Sequence, residues 1–284
     1  MLPDVIPTRL LRAAALSLLT LPAFVSAHAC ADPDPALEVG YRQMYNLDFA
    51  AAHETFQSWQ HTHPQDPLGF VSDGAAYLFA EFDRLHVLES ELFTDDQKFK
   101  ARQKLMPDPA VKTAFDNSLK KAEQLAAEAP SESSAQHTAL FAQILANGLR
   151  GDYAAMVEKK NFASLGYMKS SRNIAEKLIA TDPECYDAYL AIGVENYLLG
   201  SNPAPVRWIL RITGAQTDKD EGLARLHLTA EKGHYLAPYA RLLLAVAALR
   251  DKDHATARVL LAGLAKEFPD NSLYRRELAR IPPS

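Results

Sequence analysis

The stretch Gly40-Tyr41-Arg42-Gln43-Met44-Tyr45-Asn46-Leu47-Asp48-Phe49-Ala50-Ala51-Ala52-His53-Glu54-Thr55-Phe56, running on to Pro64, decides the fold. Its landmarks Gly40, Asp48, Ala52, Phe56 and Pro64 are separated by eight, four, four and eight residues. Steps of three and four put Phe49, Ala52, Phe56 and Trp59 on one helical face. Asn46-Leu47-Asp48 breaks the pattern as a turn. Pro64 ends it, because proline cannot continue a helix and disfavours one in the residue before it. The unit is two short helices joined tightly. Near the other end of the chain the same four intervals recur through Ala245, Asp253, Ala257, Leu261 and Pro269.

Working outward, Pro and Gly cut the rest into helix-length pieces. The composition agrees: 46 Ala and 39 Leu against 11 Val favour helix, since β-branched residues are scarce. The pattern predicts helices over 36–44, 49–60, 70–92, 108–129, 133–149, 153–180, 184–199, 218–232, 238–250, 255–268 and 272–280. A turn is expected at Arg150-Gly151-Asp152, and residues 200–217, with Pro203, Pro205 and Gly214, are expected to form a connector. No segment alternates with a period of two, so an all-α fold with essentially no sheet is predicted.

Self-similarity at a fixed interval is the mark of a repeat protein. The 40–64 and 245–269 windows resemble the tetratricopeptide repeat, a pair of antiparallel helices of about 34 residues. Gly148…Gly151-Asp152-Tyr153 resembles its inter-helix turn, and Gly193…Tyr197…Gly200 resembles a first helix whose partner is displaced by an insertion. The resemblance implies an α-α superhelix over residues 30–284, with irregular middle repeats and a concave face lined by the first helices. Carried across position by position, it places Leu37, Tyr41, Met44 and Tyr45 in the groove. From the next matching helix it adds Asp187, Leu190, Val194, Tyr197 and Leu198, and from the last pair Tyr239, Leu242, Val246, Leu249 and Arg250. The lining is apolar and rich in Tyr. It lacks the Lys/Arg/Asn clamp with which that family holds a peptide carboxylate.

Residues 1–29 read as an address. Arg9 and Arg12 precede the apolar run Leu10–Val25, and Ala27-His28-Ala29 follows, the layout of a secretory signal. The run is short for a membrane span, which needs about 20 residues. Cys30 then stands where bacterial lipoproteins carry their lipidated cysteine, although Ala27 replaces the usual Leu. A lipid at Cys30 is the one membrane attachment to expect. The other cysteine is Cys185; two thiols make no disulfide framework, and a Cys30–Cys185 bridge would need an oxidising compartment. The expected location is the periplasm.

Little points to chemistry. The net charge of −5 excludes a general phosphate-binding surface, so no nucleic-acid partner is expected. No nucleophile elbow, phosphate loop or paired C-x-x-C is present. His61 and His63 could share a metal only if extended, with no third ligand nearby; His86 and Glu89 read as a surface pair, and Glu89 and Glu91 fall on different helical faces. No cofactor, metal or catalytic residue is predicted. Arg207-Trp208-Ile209-Leu210-Arg211-Ile212 is a candidate anchor, because Trp and Arg are enriched at binding hot spots; it reads either as a lid over the groove or as a packing helix. The expectation is therefore an exported scaffold or adaptor holding a protein or peptide through Tyr41, Met44, Tyr45, Tyr197, Arg207, Trp208 and Tyr239. The alternative is a periplasmic carrier of a small apolar ligand, like the tetratricopeptide-fold components of tripartite solute transporters.

Overall fold

A computed structural model describes residues 33–88, 105–131 and 134–282. Expectations that fall on the signal segment, on Cys30 and on Glu89 and Glu91 lie outside those residues. Among the described residues there are twelve α-helices and no strand. They are α1 Pro35–Tyr45, α2 Phe49–Thr62, α3 Pro67–Arg84, α4 Pro109–Glu128, α5 Ser134–Met156 and α6 Asn161–Thr181. Then follow α7 Tyr189–Gly200, α8 Ala204–Ile212, α9 Lys219–Lys232, α10 Ala237–Arg250, α11 His254–Glu267 and α12 Ser272–Arg280.

The helix starts are written in the sequence. Asp34, Asp66 and Asp108 each precede a proline and accept a backbone N–H of the first turn, so one residue caps and the next has its φ preset. Asp48, Asp218, Asp253 and Asn271 cap α2, α9, α11 and α12 in the same way.

The helices stack in series as five hairpins, α1/α2, α3/α4, α5/α6, α7/α9 and α10/α11, with α12 packed on α11. This is an α-α superhelix. The intervals of eight and four have a direct cause: a Cβ on Gly40 would overlap the Phe56 ring, so the small residue admits the large one. Phe56 is fully buried, and Leu261 occupies the matching place in the last hairpin. The two turns match as well. Leu47 and Lys252 both take the left-handed conformation, at φ 65° and 61°. In each turn the next residue, Asp48 or Asp253, donates its N–H to a carbonyl five residues back.

The ends meet. Tyr235, in the loop between α9 and α10, stacks on Tyr41 of α1 at 4.9 Å between ring centres. Its hydroxyl accepts the Asp34 N–H at 2.9 Å, and its carbonyl accepts the Tyr45 hydroxyl at 2.9 Å. The Asn271 side chain donates to the Tyr45 carbonyl at 2.8 Å, and Arg42 donates to the Glu267 carbonyl at 3.2 Å. The first hairpin thus closes on the last two.

Three local expectations are corrected. The helix expected over 70–92 ends at Arg84, and His86 takes the left-handed conformation at φ 56°. There is no turn at Arg150-Gly151-Asp152: α5 runs through it to Met156, and the turn lies at 157–160 with Lys159 at φ 57°. Glycine inside a helix costs only about 1 kcal/mol, which packing overrides. The 200–217 connector contains α8, opened by Pro203 and Pro205 at positions where proline is tolerated. None of its residues is buried, and Trp208 is 67% exposed. It neither packs into the core nor covers the groove.

Candidate functional site

The first helices of all five hairpins, α1, α3, α5, α7 and α10, face a half-open central cavity of about 100 Å³. Tyr41, Met44 and Tyr45 of α1 line it together with Tyr239 of α10. Leu190 and Val194 of α7, Phe79 of α3 and Leu149 of α5 complete its apolar wall. The volume is below the roughly 150 Å³ of an engineered cavity that takes benzene. It is also below the roughly 300 Å³ of a drug-sized pocket. A half-open space of that size takes the end of a short apolar chain and does not enclose a whole molecule.

The cavity is kept open by what α5 lacks. Gly148 lines it, and a Cβ placed there would meet nothing within 4 Å. No contact explains a glycine in the interior of this 23-residue helix, where alanine would be about 1 kcal/mol better.

One end of the cavity is polar. Asp152, one turn beyond Gly148, is pushed up to about 7 by burial, against the opposing hydrogen bond from Tyr239. The Tyr239 hydroxyl stands 3.5 Å from Asp152 Oδ2 and is itself held well above its ordinary value by burial. Ser164 and Ser171 of α6 lie along the same wall, with the Ser171 hydroxyl donating to the Ile144 carbonyl.

The wall rests on buried ionic and hydrogen-bonded supports that the hydrophobic pattern does not register. Asp187 sits before α7, not in the groove. Its carboxylate accepts the backbone N–H groups of His234, Tyr235 and Leu236 at 3.0, 3.0 and 3.1 Å. Burial raises it to about 6, and those three bonds oppose the rise. It thereby fixes the loop that carries Tyr235. Arg172 on α6 pairs with Glu195 on α7 at 2.9 Å, both buried, and the other Glu195 oxygen accepts the Gln216 N–H.

The remaining expected site residues lie elsewhere. Tyr197 is buried in a second cluster with Leu226, Leu244 and Ala247. Arg207 donates to the Gly200 and Asn202 carbonyls, which ties α8 to the end of α7, and Trp208 points to solvent. The histidines do not form an extended pair: α2 continues to Thr62, the His61 ring bonds the Gln57 carbonyl, and His63 stacks on Trp59 at 3.6 Å. Among the described residues no three His, Cys, Asp or Glu side chains group as a metal site. Cys185 is fully buried and disulfide-bonded. No helix among the described residues is long and apolar enough to cross a membrane. No protein-family model, curated protein or solved structure matches the chain.

Proposed function

We propose that this chain is an exported, tetratricopeptide-like binding protein whose central cavity holds a small, mostly apolar ligand. The observation that carries the reading is Gly148: unlike Gly166 and Gly263, which also have open space beside them but face solvent, it opens onto the cavity. Convergence of five helices on that space, with Tyr41, Tyr45 and Tyr239 in its wall, supports the same conclusion. Export is supported by the basic-then-apolar start of the chain and by the disulfide at Cys185, a bond that persists in oxidising compartments. A periplasmic protein is the form these facts favour.

The test is ligand-observed NMR with n-pentanol. Saturation transfer is expected from the wild-type protein and is expected to vanish in Gly148→Met, which fills the cavity. Equal transfer from both proteins would overturn the reading.

A protein-binding role has its own observation. On α8, Trp208, Ile209 and Ile212 are 67, 58 and 67% exposed, an apolar face that a partner would cover. A photo-crosslinker at position 208 should then trap a single envelope protein, while Gly148→Met leaves that product unchanged.

A further inference from the structure

We propose that the cavity's ligand is an alkyl amine, or another molecule with an apolar body and a cationic, hydrogen-donating head, and that Asp152 receives the head; this rests on the cavity reading above. Two observations of geometry support it. Asp152 is half-buried and borders the cavity. Among the described residues, its side chain has one hydrogen-bonding partner, the Tyr239 hydroxyl, at the outer limit of 3.5 Å. A carboxylate in apolar surroundings ordinarily has two or three donors or a cation, because leaving it unpaired costs several kcal/mol. Asp187, buried in the same protein, shows that arrangement with its three backbone N–H donors. Asp152 has no such set of protein donors, and it borders a cavity from which a donor can arrive.

The fit is chemical as well as geometric. Tyr41 and Tyr45 have their hydroxyls engaged: Tyr41 accepts from Ser72, and Tyr45 donates to the Tyr235 carbonyl. Tyr41 stacks on Tyr235 and Tyr45 packs on Phe268, so both enter the wall as fixed, mostly apolar surface. An apolar wall for the alkyl body and a carboxylate for the ammonium head are the two elements of the fit. Tyr239, bonded to Asp152, has a lone pair left for a second N–H of a primary amine. No proton need leave the protein, since the amine arrives charged and Asp152 is ionised above about pH 7. The only other titratable group acting on Asp152 among the described residues is Tyr239.

Three probes of equal length separate this from its rivals: n-pentylamine, n-pentanol and pentanoate, titrated at pH 8.5 by ligand-observed NMR. The amine is expected to bind at least about tenfold tighter than the alcohol, and pentanoate weakest. In Asp152→Asn the amine should fall to the level of the alcohol while the alcohol is unaffected. At pH 5.5 the wild-type preference should shrink in the same way. Equal affinity for amine and alcohol, or a preference for pentanoate, overturns the inference and leaves the cavity reading standing. Failure of all three probes overturns both.

Discussion

Two regions of this protein use glycine for opposite ends. Where α7 meets α9, a Cβ on Gly222 would overlap the Tyr197 backbone, and one on Gly193 would crowd Leu226 and the Gly222 carbonyl. There glycine lets two backbones touch. In the α5 wall, Gly148 touches nothing and leaves a void. The first kind of glycine belongs to the fold. The second weakens the helix and leaves room in the cavity wall, as the proposed ligand site requires.

The largest effect should come from Gly222→Ala. Backbone cannot retreat as a side chain can, so a loss of about 4 kcal/mol is expected, read as a drop in the denaturation midpoint at constant slope. Gly40→Ala meets only the Phe56 ring, which can shift, and should cost about 2 kcal/mol. Equal costs at the two sites would break the distinction between backbone and side-chain contact.

Asp152→Asn probes the polar end of the wall. The folded-state value of about 7 lies above the ordinary carboxylate range, so the native protein binds a proton that the unfolded chain releases. The contribution of Asp152 to stability is therefore full below about pH 4 and is lost as the pH rises to about 7. The asparagine variant removes that decline. It should be more stable than wild type by on the order of 2 kcal/mol at pH 8 and equal to it at pH 4. Urea titrations at both values test this, and a difference that does not change with pH would contradict it. Asp187 titrates in the same window in both proteins and cancels from the comparison.

Gly148→Ala should move stability and binding in opposite directions. It adds helix propensity and meets nothing, so a gain of up to about 1 kcal/mol is expected, with n-pentanol binding weakened. A loss of stability would place Gly148 in the first class. Smallest of all, Trp208→Ser on exposed α8 should change stability by less than about 0.5 kcal/mol, since it removes no buried contact.

Much of the fold was legible because capping is local chemistry. Asp-Pro at three helix starts, and Asp after a left-handed residue in two turns, state where helices begin. The first hairpin, the last hairpin and the serial stacking follow from those signals and from the spacing of small and large residues. Glycine alone misled. Gly151 reads as a turn residue, yet it lies within α5, where the nearest foreign atom to a Cβ would be Tyr167 at 3.5 Å. That misreading hid Asp152, which became part of a loop instead of a cavity wall. Tyr41, Met44, Tyr45 and Tyr239 were accessible because the inner face of a superhelix repeats along the sequence. Tyr197 faces α9 because the glycines there draw the two helices together. The Arg172–Glu195 pair and the three bonds to Asp187 join segments far apart in the chain, and no local pattern records them.

Tyr235 carries one more consequence. An open array of hairpins loses its outermost unit first, since each unit leans on its neighbours alone. Here the opening segment is fastened to a loop some two hundred positions later, so the array has no free margin from which to peel. Unravelling must begin by parting the two extremities, and that step should release every hairpin together. Trimming either extremity should therefore not yield a shorter, sturdy version of the molecule, and melting should proceed as one sharp event regardless of which hairpin is observed.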